Sequence, residues 1–157
     1  MPTIRVQEAP FDIGAEMAAL TAGRTDIGAV ASFTGICRVD DGLAAMVLEH
    51  YPAMTERALA RIAEQAMARW PLTGCTVIHR VGRMAPGDPI VLVLTASAHR
   101  QAALEACAFL MDWLKTKAPF WKREEPREGA PRWVEARESD DEAAARWNEA
   151  ACTKTAG

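Results

Sequence analysis

The 157-residue chain has few of the residues from which metal and redox sites are built. Its four cysteines, Cys37, Cys75, Cys107 and Cys152, are widely spaced and form no CxxC pair. That favours reduced thiols and a reducing, cytoplasmic setting. Three histidines, His50, His79 and His99, show no ligand spacing, so no metal centre is expected. MAPGDP, the most turn-like stretch, lacks the glycines and lysine that grip nucleotide phosphates, so no nucleotide is expected. No apolar run approaches the roughly 20 residues that span a bilayer, and MPTIRVQEAP is unlike a secretory leader. The net charge of −3 argues against general nucleic-acid binding. It leaves room for a small anion, because Lys115, Lys117, Lys122 and Arg123 cluster ahead of the acidic stretch from Glu135 to Glu149.

What the chain does have is periodicity. Thr3 to Val6 reads as a short edge strand, and Ile13 to Leu20 as a helix ended near Gly23. DIGAVASFTGICR, from Asp26 to Arg38, alternates loosely as a strand, with Gly35 marking a bulge or close approach. The Asp40-Asp41-Gly42 turn then suggests a hairpin returning through Ala44 to Tyr51. Pro52 interrupts, and a helix is expected from Thr55 to Trp70, with Leu59, Ile62, Ala63, Ala66 and Trp70 at helical spacing. Cys75 to Val81 and Ile90 to Ala98 read as strands, the second apolar enough for the middle of a sheet. A helix follows from Arg100 to before Pro119, with Leu104, Cys107, Leu110, Met111 and Leu114 as its apolar stripe. Beyond PFWKREE come a loop through Gly129, a short strand at Arg132 to Ala136 and a helix from Asp140 to Ala151. The pattern implies a single two-layer α+β domain over residues 1–157, with added hairpin elements and a peripheral tail at 141–157.

The chemistry concentrates between His99 and Glu125. Arg100 falls near the centre of the expected stripe. There it either sits at the helix end, exposed or carboxylate-paired, or points into an anion pocket helped by the helix N-terminus. His99 is either structural or a donor to the same anion. At 1.5 Å per residue, Lys115 lies about 22 Å from Arg100 along the helix. One small ligand cannot reach both, so they serve different sites or a site shared between two copies, and the shared site is preferred.

Lys115 and Lys122, walled by Met111, Phe120 and Trp121, are candidate active amines, since desolvation favours the neutral form. The bland alternative is two solvated lysines complementing a helix C-terminus. Arg38 is either an anion contact or a surface arginine, and Phe33 suits the core better than a ligand platform. Cys37 is a poor nucleophile candidate, because a thiol of intrinsic pKa about 8.5 needs an activating setting.

The motifs SFTGICR (Ser32 to Arg38), LEHYPAMTE (Leu48 to Glu56), VIHRVG (Val77 to Gly82), SAHR (Ser97 to Arg100), FLMDWLKTKAPFWKRE (Phe109 to Glu124) and WVEARESD (Trp133 to Asp140) together resemble the MoaE family, the large subunits of molybdopterin synthase. The resemblance implies an α/β-hammerhead type of fold. It also implies a homodimer at the centre of a heterotetramer, with a small ubiquitin-like sulfur carrier at each end. The carrier's C-terminal Gly-Gly thiocarboxylate would deliver two sulfurs to cyclic pyranopterin monophosphate (precursor Z), giving the dithiolene of molybdopterin.

The same resemblance makes Lys115 and Lys122 catalytic. It places Arg38, His99, Arg100 and Arg123 around the substrate, together with Ile36, Cys37 and Glu124, and lines the pocket with Phe33 and Met111. It calls for no cofactor, metal, nucleic acid or membrane. Ile36 stands where the family often has a basic residue, and VDDGLAA after Arg38 is shorter than the usual polar loop. The competing classes are a non-catalytic anion-binding or carrier-recognition module and a lysine acyltransferase.

Overall fold

The structure is a computed structural model that describes residues 1–38, 42–134 and 138–153. The Asp40-Asp41 part of the expected turn, the end of the Arg132–Ala136 strand and the last four residues of the tail lie outside the described residues. In chain order the elements are β1 (Thr3–Gln7), α1 (Ile13–Thr21), β2 (Ala29–Ile36), β3 (Leu43–His50), α2 (Pro52–Arg69) and β4 (Leu72–Arg80). They continue with β5 (Gly82–Met84), β6 (Pro89–Ser97), α3 (Arg100–Thr116), β7 (Phe120–Pro126), β8 (Arg132–Val134) and α4 (Glu138–Thr153). The class is α+β, as expected.

The strands form two four-stranded sheets, β1-β4-β6-β2 and β5-β3-β7-β8. In the first, β1 runs parallel to β4 at one edge, while β6 lies antiparallel to both neighbours in the interior. The near-continuous apolar run of β6 follows from cover on both faces. Val91 and Val93 point toward α2 and α3, and Leu92 and Leu94 pack with Ile78 under Phe11, Met17 and Leu20 around α1. Asp12 caps α1 by accepting the Ala15 N–H at 2.8 Å.

Three expectations need correction. First, β2 and β3 do not form a hairpin. β2 pairs with β6, and β3 with β5 and β7 in the other sheet. A turn signal reverses the chain but does not choose the partner. β3 buries Leu43, Met46 and Leu48 with Cys37 and Met84 in a cluster of its own, and FWKREEP supplies the strand beside it. Second, α2 begins at Pro52, which occupies the first helical turn, where its missing N–H costs no hydrogen bond. Third, Leu104 is 60% exposed, and the buried face of α3 is Ala103, Ala106, Cys107, Leu110, Met111 and Leu114. The small alanines let the helix approach β6 closely enough for Thr95 Oγ1 to donate to the Ala103 carbonyl at 2.6 Å. The stripe is thereby turned about 50° from Arg100, at 100° per residue, so Arg100 stands at its margin.

α4 packs against α3. Trp147 lies edge-on to Trp70 and Phe109, Arg69 stacks over all three rings, and Trp147 Nε1 donates to Asp112 Oδ2 at 2.6 Å.

Candidate active site

One end of the first sheet gathers most of the candidate residues. There β2 and β4 finish, β6 begins and α3 ends, because β6 is antiparallel to β2 and β4 and α3 runs back from its far end. Gly35, Val91 and His79 form a row across the sheet. A Cβ on Gly35 would lie 2.8 Å from Val91 Cγ1, and the register shifts between Gly35 and Ile36, so the glycine provides both the close approach and the bulge. The bulge leaves Ile36 56% exposed and turns Cys37 inward to 3% exposure. Cys37 is fastened to the next turn, its N–H donating to the Asp88 carbonyl at 2.8 Å and its carbonyl accepting from Gly87 N–H at 2.6 Å. Arg38 follows, exposed at the same end.

Lys115 is exposed in the last turn of α3, where its charge complements the helix C-terminus. Lys117 caps the helix, and Phe120 opens β7 after a tight turn in which its N–H donates to the Ala118 carbonyl at 2.8 Å. Lys122 is half-buried opposite Leu48 and Val134. Strand alternation puts Phe120, Lys122 and Glu124 on one face of β7, and Trp121, Arg123 and Glu125 on the other. Arg123 is therefore turned away from Lys122 and contacts Glu125 at 3.5 Å, while its Nε is buried without a partner. The Glu124 carboxylate is held by Arg132 at 3.1 Å.

Beneath these groups lies His79, a residue to which the sequence patterns gave no site role. Its ring is stacked on Phe120, with centroids 4.0 Å apart and planes 20° from parallel. Its Nδ1 is 2.8 Å from the Arg80 carbonyl, which can only accept, so Nδ1 carries the proton. Burial above all, with the nearby charges of Lys115 and His50 adding, pushes His79 down from its ordinary 6.5 to about 4, against the opposing pull of that hydrogen bond. Strand alternation puts His79 on the same face as Val77, and its stacking partner is 41 residues away in sequence.

His99 and Arg100 lie at the opposite end of α3, both exposed, and His99 caps the helix without a side-chain hydrogen bond. Phe33, 39% exposed, shares the α3 side of β2 with buried Ala31, and Met111 is buried in the core beneath α3. The chain alone thus brings Ile36, Arg38, Lys115 and Lys122 to one end and leaves His99 and Arg100 at the other. A cavity of about 380 Å³ between β3, β7 and β8 includes Glu124 but neither lysine. Another of about 410 Å³ between α1, β1 and β4 contains none of the candidates.

Cys37, Cys75 and Cys107 are buried and reduced, and burial raises the Cys75 thiol to about 12 and that of Cys107 to about 11. Among the described residues no group of three or more His, Cys, Asp or Glu is placed to hold a metal ion, and no helix is long and apolar enough to cross a membrane.

Comparison with known proteins identifies the family. The family model described as MoaE protein matches residues 6–117. A molybdopterin synthase catalytic subunit from Mesorhizobium japonicum is 59% identical over 148 residues, covering 93% of each chain. The subunit of the same name from Escherichia coli K12 is 57% identical over 141 residues, covering 88% of this chain and 93% of that one. Among solved structures, the MoaE protein of Burkholderia ambifaria superposes with a TM-score of 0.81 at 53% identity, covering 94% of this chain and 99% of that one. Molybdopterin synthase from Staphylococcus aureus gives 0.78 at 27% identity, over 86% and 98%. With the family model spanning most of the chain and relatives this similar along nearly its whole length, the chain belongs to the MoaE family, whose members are the catalytic subunits of molybdopterin synthase.

Proposed function

We propose that this chain carries out sulfur transfer onto cyclic pyranopterin monophosphate, the reaction that makes the molybdopterin dithiolene, and that it does so in the cytoplasm as a homodimer flanked by two sulfur-carrier subunits. One observation carries the reading. Arg38, Lys115 and Lys122 lie toward one end of the first sheet, while the thiols of Cys37, Cys75 and Cys107 are buried. A cationic site whose neighbouring thiol, Cys37, is buried suits a reaction in which sulfur arrives on a partner.

In this mechanism the carrier's C-terminal thiocarboxylate lies along the surface between α3 and β7. Its sulfur displaces oxygen at a side-chain carbon of the pterin: the C–S bond forms as a C–O bond breaks, the oxygen leaving on the opened phosphate in one round and as water in the other. Water then cleaves the bond between that sulfur and the carrier's carbonyl, releasing the carrier as a carboxylate, and a second carrier repeats the sequence. Lys115 orients the carrier's terminal carbonyl and moves a proton during attack, a role worth about 10²–10⁴ in rate. Lys122 binds the substrate and assists opening of its cyclic phosphate. Arginine forks hold that phosphate and offset charge developing on it.

Arg38 is near the lysines, whereas His99 and Arg100 reach the same substrate only from a second copy, which makes the site composite. Glu124, tied to Arg132, orients the Lys122 face of β7. Ile36 and buried Cys37 shape the wall through backbone. Arg123, on the other face of β7, meets the substrate only through the second copy or a shift of the strand.

The test is reconstitution with thiocarboxylated carrier and the pterin substrate, following dithiolene formation. Lys115→Ala should lower kcat at least about 100-fold while carrier binding and the folded spectrum persist. Equal turnover in that variant would reject the assignment of Lys115. A stable acyl-lysine with no thiolated pterin would instead favour the acyltransferase reading, and carrier binding without any turnover the recognition module.

A further inference from the structure

We infer that His79 is a positioning residue for the two lysines: its ring, stacked on Phe120, pins the start of β7 to the end of α3 and so sets where Lys115 and Lys122 stand relative to each other. This rests on the proposed roles of those lysines. It goes beyond them by assigning a role to a side chain that touches neither substrate nor carrier.

Connectivity gives the reason. Phe120 comes five residues after Lys115 and two before Lys122, in the only covalent path between them. α3 stops at Thr116, and the cap and turn through Lys117, Ala118 and Pro119 contain no regular element, so the angle at which β7 departs has to be fixed from outside that path. Pairing with β3 fixes one side of β7 through His50 opposite Phe120 and Leu48 opposite Lys122. The other edge pairs with β8 only from Lys122 to Glu124, so at Phe120 the further hold is the ring of His79 lying 4.0 Å beneath it. A second imidazole, His50, lies 6.2 Å from Phe120 at a tilt of 39° and provides no comparable face.

His79 itself cannot swing. It is 7% exposed, it is paired across from Val91, and Nδ1 is bonded to its neighbour's carbonyl. At 4.0 Å the two rings are closer than the roughly 4.5–7 Å usual for aromatic pairs, so a His79 ring held this rigidly passes its orientation to Phe120. Phe120 also touches both apolar clusters, so the ring that His79 steadies joins the two sheets.

Two variants of the full chain separate the stack from burial and from the hydrogen bond. His79→Leu and His79→Phe both fill the site with apolar volume and both remove the Nδ1 donor, but only phenylalanine keeps a planar face under Phe120. In the reconstituted reaction with thiocarboxylated carrier and pterin, His79→Leu should lower kcat at least tenfold with the KM for carrier within about twofold, and His79→Phe should retain kcat within about threefold. A His79→Leu enzyme that is folded and turns over at the wild-type rate overturns the inference. So does a His79→Phe enzyme as slow as the leucine variant, or one that does not fold while His79→Leu does. Wild-type protein in the same assay keeps the two levels apart: no wild-type turnover refutes the proposed function, whereas active wild type with unaffected His79→Leu refutes only the positioning role.

Discussion

The two ends of α3 present cationic groups in different ways. At the start, His99 and Arg100 follow directly from β6, with local support: Ser97 Oγ donates to the Pro71 carbonyl, and His99 N–H reaches Ser97 Oγ at 3.5 Å. At the finish, Lys115 stands among parts drawn from across the chain. The end of β2 brings Arg38, the end of β4 brings His79, and β7 brings Phe120 and Lys122. The locally built end is exposed and incomplete, and the assembled end has its own floor. The proposed composite site would join the two, with His99 and Arg100 from a bare helix start in one copy meeting Arg38, Lys115 and Lys122 on the braced surface of the other.

The sharpest way to break that comparison is to separate the ends genetically. If the proposed homodimer shares its sites, Arg100→Ala and Lys115→Ala alone should each lose at least about 100-fold in turnover. Unfolding and refolding an equimolar mixture should recover about a quarter of wild-type activity, because half of the dimers are mixed and each mixed dimer has one intact site out of two. Recovery is read as dithiolene formed per total chain. A mixture as inactive as its parents would mean that the two ends of α3 do not share a substrate.

The braced end should also be the pH-sensitive one. The neutral ring of His79 is favoured in the fold, where its pKa is about 4 against an ordinary 6.5. Between those values the unfolded chain takes up a proton that the folded chain refuses. Stability is therefore fully present above about pH 6.5 and falls as the pH drops toward 4, by about 3 kcal/mol at most. Burial sets this window above all, the hydrogen bond to the Arg80 carbonyl opposes it, and the facing groups Lys115 and His50 add to the resistance to protonation. Urea unfolding of wild type and His79→Phe at pH 7 and 4.5 measures it: the wild type should lose about 2–3 kcal/mol more than the variant on acidification. Parallel losses would place the acid sensitivity elsewhere.

Much of this was legible in the sequence where the cause is local. The start of α3 at Arg100 and its end before Pro119 follow from periodicity and proline chemistry, and the helix rise alone separates Arg100 from Lys115. The interior place of β6 could be read from an apolar run too long for a one-sided strand. Partners far apart in sequence were not legible. β3 was matched to its neighbour β2 although β7 holds it, because the four consecutive charges of FWKREEP look like loop until an apolar face is laid beside them. Leu104 was given the core on hydrophobicity, but close packing on β6 favoured the smaller Ala103 and Ala106. His79 went unnoticed as a site residue for the same reason: its environment is made by Phe120, which no local pattern brings near.

The smallest expected effect concerns a brace behind the finish of α3. Asp112 lies one turn before Lys115, and its Oδ2 accepts from Trp147 Nε1 at 2.6 Å and from Arg146 at 3.1 Å. Through Asp112, α4 thus holds the half of α3 that carries Lys115. Trp147→Phe keeps the ring among Trp70, Phe109 and Arg69 but deletes the indole donor. A hydrogen bond to a charged group is worth about 1.5–3 kcal/mol when buried. Here Arg146 still satisfies the carboxylate and Trp147 is half-exposed, so the loss in urea unfolding should be about 1 kcal/mol. If the brace acts on the lysine end alone, this variant lowers kcat slightly, and the yield of complementing mixed dimers is unchanged when the substitution is placed only on the chain that carries Lys115→Ala. A fall in that yield would show that α4 also steadies the Arg100 end, and the two ends would then be less independent than their construction implies.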